Sequence, residues 1–371
     1  MREIEQIRKD ITENDREIAR LFEKRMELSK EVATYKTANN ISVFDAKRED
    51  LVIKNFLDSL DDKSLSKWGA SLIYELMRSS KQYQSSLFSS PKSNTKISDA
   101  TIVCQGVVGS YAEEAAIGYF GESAKIQCLK SFSDVFDYVL TSKADFGVVP
   151  IENSSTGSIG DVYDLFEKYD CKIVGEYILK INHNLLANAN ATEETITNVY
   201  SHTQGFEQCS AFLNKYPHFN LVPYHNTAIS AKYVSESGDK TKAAIASKRA
   251  AKIYNLKTIC ENINNNYNNY TRFVIISKDL SVDKSADKVS IMFRLNHEKG
   301  LLCKLMASFE KYGVNLLKIE SRPIPNKSWQ YNFFIDFEAS LCDSSINEML
   351  DLLSKNSESF KLLGNYKSAN I

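Results

Sequence analysis

The first quarter of the chain carries the hydrophobic spacing of long helices. From Ile4 to Tyr35, apolar residues recur at alternating intervals of three and four, and only Asn14 and Arg25 interrupt the stripe. This spacing predicts one amphipathic helix of about 50 Å at 1.5 Å per residue. Two further helical patterns run from Arg48 to Leu60 and from Leu65 to Gln84. The sequence therefore predicts an all-helical start.

Beyond the helical start, the hydrophobic pattern changes to short apolar runs that alternate with helical stretches. Runs such as Phe146–Ile151 and helical stretches such as Phe132–Leu140 are typical of α/β domains. After Lys288 the order becomes strand, helix, strand, strand, helix, which suits a ferredoxin-like βαββαβ unit. The predicted organisation is an all-helical domain at 1–90, a linker at 91–99, an α/β domain at 100–277, a connector at 278–287 and an α+β domain at 288–371.

Composition narrows the classes of partner. Of 371 residues, 43% are hydrophobic and 25% are charged, as in globular proteins. The 46 Lys and Arg against 47 Asp and Glu leave a net charge of -1, which provides no bulk field for nucleic acid or an anionic membrane. No apolar run approaches the ~18 residues of a membrane span. We therefore expect a cytoplasmic protein with no nucleic-acid partner and no membrane partner, in which any anion site is local.

Cysteine and histidine usage argues against disulfides and metals. The seven cysteines have no C-x-x-C spacing, and the five histidines have no paired ligand nearby in the sequence. We expect reduced thiols and no metal site. The only biased tract is the Asn-rich run Asn262–Asn269, to which the sequence assigns no role.

Arg25 is the first candidate binding residue, because a buried unpaired guanidinium is costly. Lys36 lies eleven residues further on, on nearly the same helix face about 16 Å away, so the two cations can bracket a small dianion. Arg8 lies about 26 Å before Arg25 along the axis and joins such a site only from a second chain. The alternative, commoner for an isolated interruption of the stripe, is that Arg8 and Arg25 pair with Glu residues across a helix bundle.

Four motifs and one lysine follow one another in this segment. They are I-R-x-x-I-x-x-x-D at Ile7–Asp15, K-R-M-E-L at Lys24–Leu28, Lys36, D-x-x-R-E at Asp45–Glu49, and the pair Ser80 and Gln84. In this order they resemble the all-helical chorismate mutases. The resemblance implies a helix-swapped dimer that rearranges chorismate to prephenate without a cofactor.

The same resemblance assigns roles to individual residues. Carboxylates of chorismate would be held by Arg25, Arg48 and Arg8 of the partner subunit, with Ser80 in support. Lys36 and Gln84 would reach the ether oxygen, where charge develops. Asp45 and Glu49 would take the hydroxyl side.

The central domain contains a loop rich in Asn and Ser after a strand end, F-G-V-V-P-I-E-N-S-S-T-G-S-I at Phe146–Ile159. Such a turn offers N–H groups and hydroxyls to an anion, although the same composition also serves as a plain turn. Further motifs are G-x-x-G-S-Y at Gly106–Tyr111, S-H-x-Q at Ser201–Gln204, Q-C at Gln208–Cys209 and T-R-F at Thr271–Phe273. Together these motifs resemble the prephenate dehydratases over about residues 100–277.

This second resemblance implies two α/β lobes of the periplasmic-binding-protein type with prephenate between them. Loss of carbon dioxide and hydroxide makes the ring aromatic, so the main requirement is a donor at the leaving oxygen. Thr271 would be that donor, and Arg272 would supply local positive charge. Substrate carboxylates and the ring hydroxyl would be bound by Asn153, Ser154, Ser201, Gln208 and Thr227.

The C-terminal domain carries E-S-R-P at Glu320–Pro323 after a strand, preceded by a helix that starts at Gly300. Four residues alone indicate no more than a strand end with a charged pair. In this domain order they resemble the ACT domains of dehydratases, which implies phenylalanine as an effector at a dimer interface. The implied effector residues are Gly300, Leu301, Leu302, Glu320, Ser321 and Arg322. Leu301 stands where that family has Ala and narrows such a pocket.

Taken together, the resemblances imply a bifunctional enzyme of phenylalanine biosynthesis in a homodimer or higher homo-oligomer. Chorismate and prephenate would be its substrates, phenylalanine its effector, and no cofactor would be needed. Two alternatives stay open. One is a dehydratase whose N-terminal helices only dimerise, and the other is an amino-acid-sensing binding protein without catalysis.

Overall fold

Contacts between residues divide the chain into two units, Met1–Asn94 and Thr95–Ile371. The computed structural model describes residues 2–38, 46–88, 100–281, 283–296, 298–324, 327 and 329–369. No helix within these ranges is long and apolar enough to cross a bilayer.

Helices form the N-terminal unit, as the hydrophobic spacing predicted. They are α1 (Ile4–Ala38), α2 (Ala46–Asp58) and α3 (Ser66–Phe88), with a 3₁₀ turn at Lys63–Leu65. Both α1 and α2 pack on α3, where Ile73 and Met77 are buried. The apolar stripe of α1 is still 44% to 66% exposed at Ile4, Ile11, Ile18, Leu21, Leu28, Val32 and Tyr35. A single copy of the unit therefore leaves most of this stripe in water.

The first lobe of the second unit is a sheet covered by helices. Its strands are β1 (Thr101–Gln105), β2 (Lys125–Leu129), β3 (Phe146–Asn153), β4 (Gly157–Ser158), β5 (Lys172–Lys180) and β11 (Tyr270–Ser277). Its helices are α4 (Tyr111–Phe120), α5 (Phe132–Leu140) and α6 (Gly160–Lys168). The main sheet order is β2-β1-β3-β11-β5, with β4 paired to β3. Because β11 runs antiparallel between β3 and β5, the end of β3 lies beside the start of β11.

The second lobe is a five-stranded sheet inserted between β5 and β11. Its strands are β6 (Asn184–Ala187), β7 (Asn198–Ser201), β8 (Asn220–Pro223), β9 (Lys242–Ala246) and β10 (Lys257–Cys260). Its helices are α7 (Thr203–Gln208), α8 (Ser210–Leu213), α9 (Thr227–Ser237) and α10 (Lys248–Ile253). The sheet order is β10-β6-β9-β7-β8.

The Asn-rich run, to which the sequence analysis assigned no role, lies where the chain returns to the first lobe. Asn264 accepts a hydrogen bond from the His183 N–H at 2.7 Å and donates to the Ile181 carbonyl at 3.1 Å. The Ile181 N–H donates to the Asn269 carbonyl at 2.8 Å. Amide side chains therefore tie the two crossover segments between the lobes to each other.

The C-terminal part has the predicted βαββαβ order. Its elements are β12 (Lys288–Arg294), α11 (Leu301–Lys311), β13 (Leu316–Pro323), β14 (Tyr331–Glu338), α12 (Ser344–Lys355) and β15 (Ser359–Tyr366). Its sheet, in the order β13-β14-β12-β15, joins the first lobe because β15 pairs with β5 through Gly364 and Ile173. The strands of both parts therefore belong to one ten-stranded sheet.

Gly364 permits this junction, because a Cβ atom there would lie 2.1 Å from the Ile173 carbonyl oxygen. We expect Gly364→Ala to destabilise the second unit by about 1–3 kcal/mol, the usual cost of overpacking. Thermal unfolding of the full chain measures this as a lower Tm. Ser359→Ala, at the exposed start of the same strand, is the control. An unchanged Tm for the Gly364 variant would show that the two strands can separate enough at the junction to accommodate a methyl group.

Candidate functional site

A cavity of about 220 Å³ lies between the two lobes of the second unit. Thr271 and Asn153 line it from the first lobe, and Gln208 and Thr227 line it from the second. The remaining lining residues are Gln105, Ser110, Tyr111, Ala112, Pro150, Ile159, Ile181, His183, His202, Gln204, Gly205, Asn226 and Phe273. Four of the residues predicted for the dehydratase site therefore meet in one cavity.

Asn153 and Thr271 face each other directly across the β3–β11 pair. The Asn153 side-chain oxygen accepts hydrogen bonds from the N–H groups of Ser155 and Thr156 at 3.0 and 3.1 Å. These bonds fix the orientation of the amide, so its NH₂ group faces Thr271 Oγ1 at 2.9 Å and Asn269 Oδ1 at 2.7 Å. Thr271 Oγ1 thus accepts a hydrogen bond, and its own proton has no acceptor among the described residues.

The lining includes no Asp, Glu, Lys or Arg among the residues that the structure describes. Positive potential comes instead from helix N-termini, since α4 begins at Tyr111 and α9 begins at Thr227, both on the cavity wall. Ser110 and Asn226 cap these helices by accepting from the N–H groups of Glu113 and Ile229. The cavity therefore suits an anion held by backbone N–H groups and neutral polar side chains.

Arg272 does not supply the local charge that the sequence suggested. Neighbouring residues of a strand point to opposite faces, so Thr271 lines the cavity while Arg272 faces away from it. The guanidinium instead donates to Glu176 at 2.7 Å and to Asp336 of the C-terminal sheet at 2.6 Å. Burial acts to lower the pKa of Arg272, but Tyr366 and the two carboxylates raise it, so it stays charged. This residue joins the two sheets.

Ser154 and Ser201 also lie outside the cavity lining. The Ser154 hydroxyl donates to the Asn268 carbonyl at 3.0 Å and accepts from the Tyr270 N–H at 2.9 Å. The Ser201 hydroxyl is fully buried and donates to the Ile245 carbonyl at 3.3 Å. Both serines therefore hold the loops that form the cavity wall, and the expectation that they contact substrate is not what this geometry shows.

In the N-terminal unit, the structure brings Arg25 and Ser80 together. Arg25 is half-buried and donates to the Leu76 carbonyl at 2.9 Å and to the Ser80 hydroxyl. Burial lowers the pKa of Arg25. These partners are neutral, and no carboxylate of the described residues pairs with Arg25. The alternative of a Glu partner is therefore not seen in the described part of the chain.

The structure describes the side chains of two further predicted residues of this unit. Arg8 and Arg48 are exposed on α1 and α2. Because α1 is one continuous helix, Arg8 stays about 26 Å from Arg25 along its axis. Asp45 and the side chains of Lys36, Glu49 and Gln84 lie outside the described residues.

Comparison with known proteins assigns both units. The family model "Chorismate mutase type II" matches residues 7–85, and the model "Prephenate dehydratase" matches residues 102–281. A relative from Aquifex aeolicus, named bifunctional chorismate mutase/prephenate dehydratase, is 32% identical over 370 residues, covering 100% of this chain and 99% of the relative. The chain belongs to this family of bifunctional chorismate mutase/prephenate dehydratases. It therefore catalyses both the rearrangement of chorismate to prephenate and the conversion of prephenate to phenylpyruvate in phenylalanine biosynthesis.

Solved structures share the fold of the dehydratase part. A prephenate dehydratase from Arthrobacter aurescens in complex with L-Phe is 27% identical, with a TM-score of 0.67 over 72% of this chain and 90% of that chain. GqqA, described as a novel type of quorum-quenching acylase, is 25% identical, with a TM-score of 0.66 over 72% of this chain and 98% of that chain. Because one fold can host different activities, the roles of residues must come from the site itself.

The six residues predicted to bind the effector of this mutase/dehydratase lie on the edge strand β13 and at the start of α11, and those on β13 point to both of its faces. Glu320 accepts a hydrogen bond from Ser158 at 2.6 Å, and Arg322 pairs with Asp164 at 3.1 Å. Ser321 points to the opposite, exposed face. Gly300 has a φ of 77° and precedes α11, where Leu301 and Leu302 are partly buried. Two of the six predicted effector residues thus contact the dehydratase part, Glu320 at β4 and Arg322 at α6.

The sequence missed His183 and gave Tyr111 and Gln204 no role in the dehydratase cavity. His183 Nδ1 lies 3.0 Å from the Tyr111 hydroxyl, and Nε2 lies 2.8 Å from Gln208 Oε1. Gln204 donates to the Thr156 hydroxyl at 2.7 Å, which links the second lobe to the first. Tyr111 and Gln204 belong to motifs noted in the sequence, whereas a lone histidine gives no spacing signal. His183 is recognisable only from its place in the cavity.

Proposed function

We propose that the cavity between the lobes is the dehydratase site and that Thr271 donates to the leaving hydroxyl of prephenate. The observation that supports this most is the Asn153 amide, which donates to Thr271 Oγ1 and leaves the threonine proton free for substrate. The ring carboxylate leaves as carbon dioxide, and its electron pair enters the ring. The C–O bond breaks on the opposite carbon, and the leaving hydroxide accepts the hydrogen bond from Thr271.

Neutral groups of the cavity wall contribute to binding of the dianionic substrate in this proposal. Gln208, Thr227 and Asn153 offer hydrogen bonds to the carboxylates and the ring hydroxyl. The N–H groups at the start of α4 and α9 add fixed positive potential, which needs no reorganisation when charge moves in the transition state. Enclosure of the substrate between the two lobes strengthens each of these interactions.

The mutase site is proposed around Arg25 and Ser80, completed by a second copy of the chain. A half-buried guanidinium whose partners among the described residues are neutral suits a substrate carboxylate. The exposed stripe of α1 is the surface on which the second copy would pack. Such packing would bring Arg8 of the partner subunit to the site. Arg48, Lys36, Asp45, Glu49 and Gln84 keep the roles that the family resemblance implies. Rearrangement within one molecule needs a compact conformer and charge stabilisation, and no nucleophile.

The C-terminal βαββαβ part is proposed to be an ACT domain that binds phenylalanine at an interface between two chains. The Arthrobacter relative crystallised with L-Phe supports this ligand. In this chain, Lys318 pairs with Glu152 at 2.9 Å, next to Asn153, while Glu320 and Arg322 contact Ser158 and Asp164. A ligand that shifts β13 would therefore act on the dehydratase loop directly.

One prediction separates binding of phenylalanine from its effect. Ser321→Ala, on the exposed face of β13, is expected to weaken phenylalanine binding. Asp164→Asn removes the charge that pairs with Arg322 but lies in the dehydratase part. It should therefore leave the Kd for phenylalanine within about twofold and weaken inhibition of the dehydratase by phenylalanine about fivefold or more. Calorimetric titration and dehydratase rates with and without phenylalanine measure the two effects. Equal inhibition of wild type and Asp164→Asn would contradict this coupling route.

Assays of the purified full chain with both substrates test the whole proposal. Loss of chorismate absorbance reports the mutase, and formation of phenylpyruvate from prephenate reports the dehydratase. A chain whose helices only dimerise would leave the chorismate signal unchanged. A binding protein without catalysis would form no phenylpyruvate.

A further inference from the structure

The dehydratase cavity holds a titratable group that the proposed mechanism does not use. Prephenate carries two carboxylates, yet no lysine or arginine is among the described lining residues. His183 and His202 are the imidazoles on the wall, and His183 is 3% exposed. A charge on either ring would act at short range on the substrate.

The proton on one nitrogen of His183 follows from backbone groups. Asn153 Oδ1 accepts from the N–H groups of Ser155 and Thr156, so this atom is an oxygen. Gln208 is assigned with its NH₂ nitrogen 3.5 Å from this oxygen, which turns Gln208 Oε1 towards His183 Nε2 at 2.8 Å. An oxygen accepts, and therefore Nε2 of His183 carries a proton.

The other nitrogen of His183 can be protonated without moving a heavy atom. The Tyr111 hydroxyl oxygen lies 3.0 Å from Nδ1 and 2.9 Å from the Asn182 carbonyl. A phenol has one proton, so in the neutral state it serves either Nδ1 or the carbonyl. When Nδ1 is protonated, it donates to the Tyr111 oxygen and the phenol donates to Asn182. The imidazolium form thus satisfies every polar contact of this chain of groups.

We propose that His183 takes up a proton when prephenate enters the cavity, and that the resulting imidazolium is the cationic partner of the dianion. This inference rests on the proposed dehydratase site. The groups in contact with the ring nitrogens are Tyr111 from α4 and Gln208 from α7, and neither carries a full charge. Asn264, from the second crossover segment, holds the backbone N–H of His183 and is neutral as well. Glu114, further along α4, is the carboxyl group whose charge acts on Tyr111.

The direction of the pH dependence follows from the empty and the occupied cavity. Burial lowers the pKa of His183, against a smaller opposing effect of Gln208, so the empty enzyme holds it neutral near pH 7. A bound dianion raises that pKa. Affinity is then greatest below the pKa of the empty enzyme, falls up to about tenfold per pH unit above it, and levels off above the pKa of the complex.

The test is the pH dependence of kcat/KM for prephenate in the full-length enzyme. For wild type we expect a decline that approaches about tenfold per pH unit above the pKa of the free enzyme. His183→Gln should lower kcat/KM and remove the decline. Tyr111→Phe keeps the imidazole but takes away the acceptor of its Nδ1 proton, so the decline should move to lower pH. His218→Gln, an exposed histidine away from the cavity, is the control and should retain the wild-type profile.

Proton uptake provides a direct second measurement. Mixing Thr271→Ala enzyme with prephenate in a weakly buffered indicator solution should consume up to about one proton per site before slow turnover. No uptake, or an unchanged profile in His183→Gln, would overturn the inference. Loss of the decline in His202→Gln with the decline kept in His183→Gln would overturn it as well. If wild type forms no phenylpyruvate at all, the proposed dehydratase site fails instead.

Discussion

Replacing Thr271 with alanine is expected to lower dehydratase kcat by about 10²-fold or more while mutase activity stays near normal. A loss of this size in kcat is typical of removing a positioned donor at the leaving group. KM for prephenate should change little, because the Thr271 hydroxyl acts mainly on the oxygen as it leaves. Steady-state assays with chorismate and prephenate on the same preparation measure both activities.

Thr271→Ser is the matched control, because it keeps the hydroxyl that Asn153 orients. We expect it to retain turnover within about tenfold of wild type. Full dehydratase turnover in Thr271→Ala would show that another group donates the hydrogen bond to the leaving oxygen. An equal loss in both variants would indicate that packing around Thr271, rather than its hydroxyl, limits the rate.

Two inactive mutase variants are expected to restore activity when mixed. Arg8→Ala and Arg25→Ala should each lose about 10²-fold or more alone, because each removes a charge from both sites of a homodimer. In a mixed dimer both lesions fall in one site and the other site is intact. Complete exchange of equal amounts should therefore return about a quarter of wild-type mutase activity.

The control for this experiment is a chain that carries both substitutions, mixed with wild type. Each site of that mixed dimer contains one lesion, so mixed dimers add no activity. Mass spectrometry of differently tagged chains verifies exchange. Proven exchange without recovery would disprove a site shared between two chains.

The sequence was most informative where the pattern is local. The stripe from Ile4 to Tyr35 predicted α1 because a helix repeats every 3.6 residues, and its exposed face is visible in the same spacing. The βαββαβ order was predictable because helices and strands each have a local hydrophobic spacing of their own. That β15 pairs with β5 was not, because the deciding feature is the missing side chain at Gly364, 191 positions from its partner Ile173 in sequence.

The site shows the same division. Asn153, Gln208, Thr227 and Thr271 line one cavity, whereas Arg272, next to Thr271 in the T-R-F motif, lies outside this lining and pairs with Asp336. Strand alternation alone would have placed Arg272 on the face opposite Thr271. His183 could not be found in this way, since its partners Tyr111 and Gln208 come from different lobes.

The continuous sheet restricts how the C-terminal part can move. A domain on a flexible tether can swing as a rigid body, whereas a strand that stays paired in a shared sheet moves with its neighbour, for example by a change in the twist between them. Through β5, a change of twist at Gly364 reaches Ile276 of β11, five residues and about 17 Å along that strand from Thr271. Motion of the C-terminal part would therefore reach the dehydratase as a change in the twist of β5 and β11. Thr271 lies at the end of β11 that is distant from the junction, so such a change would alter its orientation in the cavity.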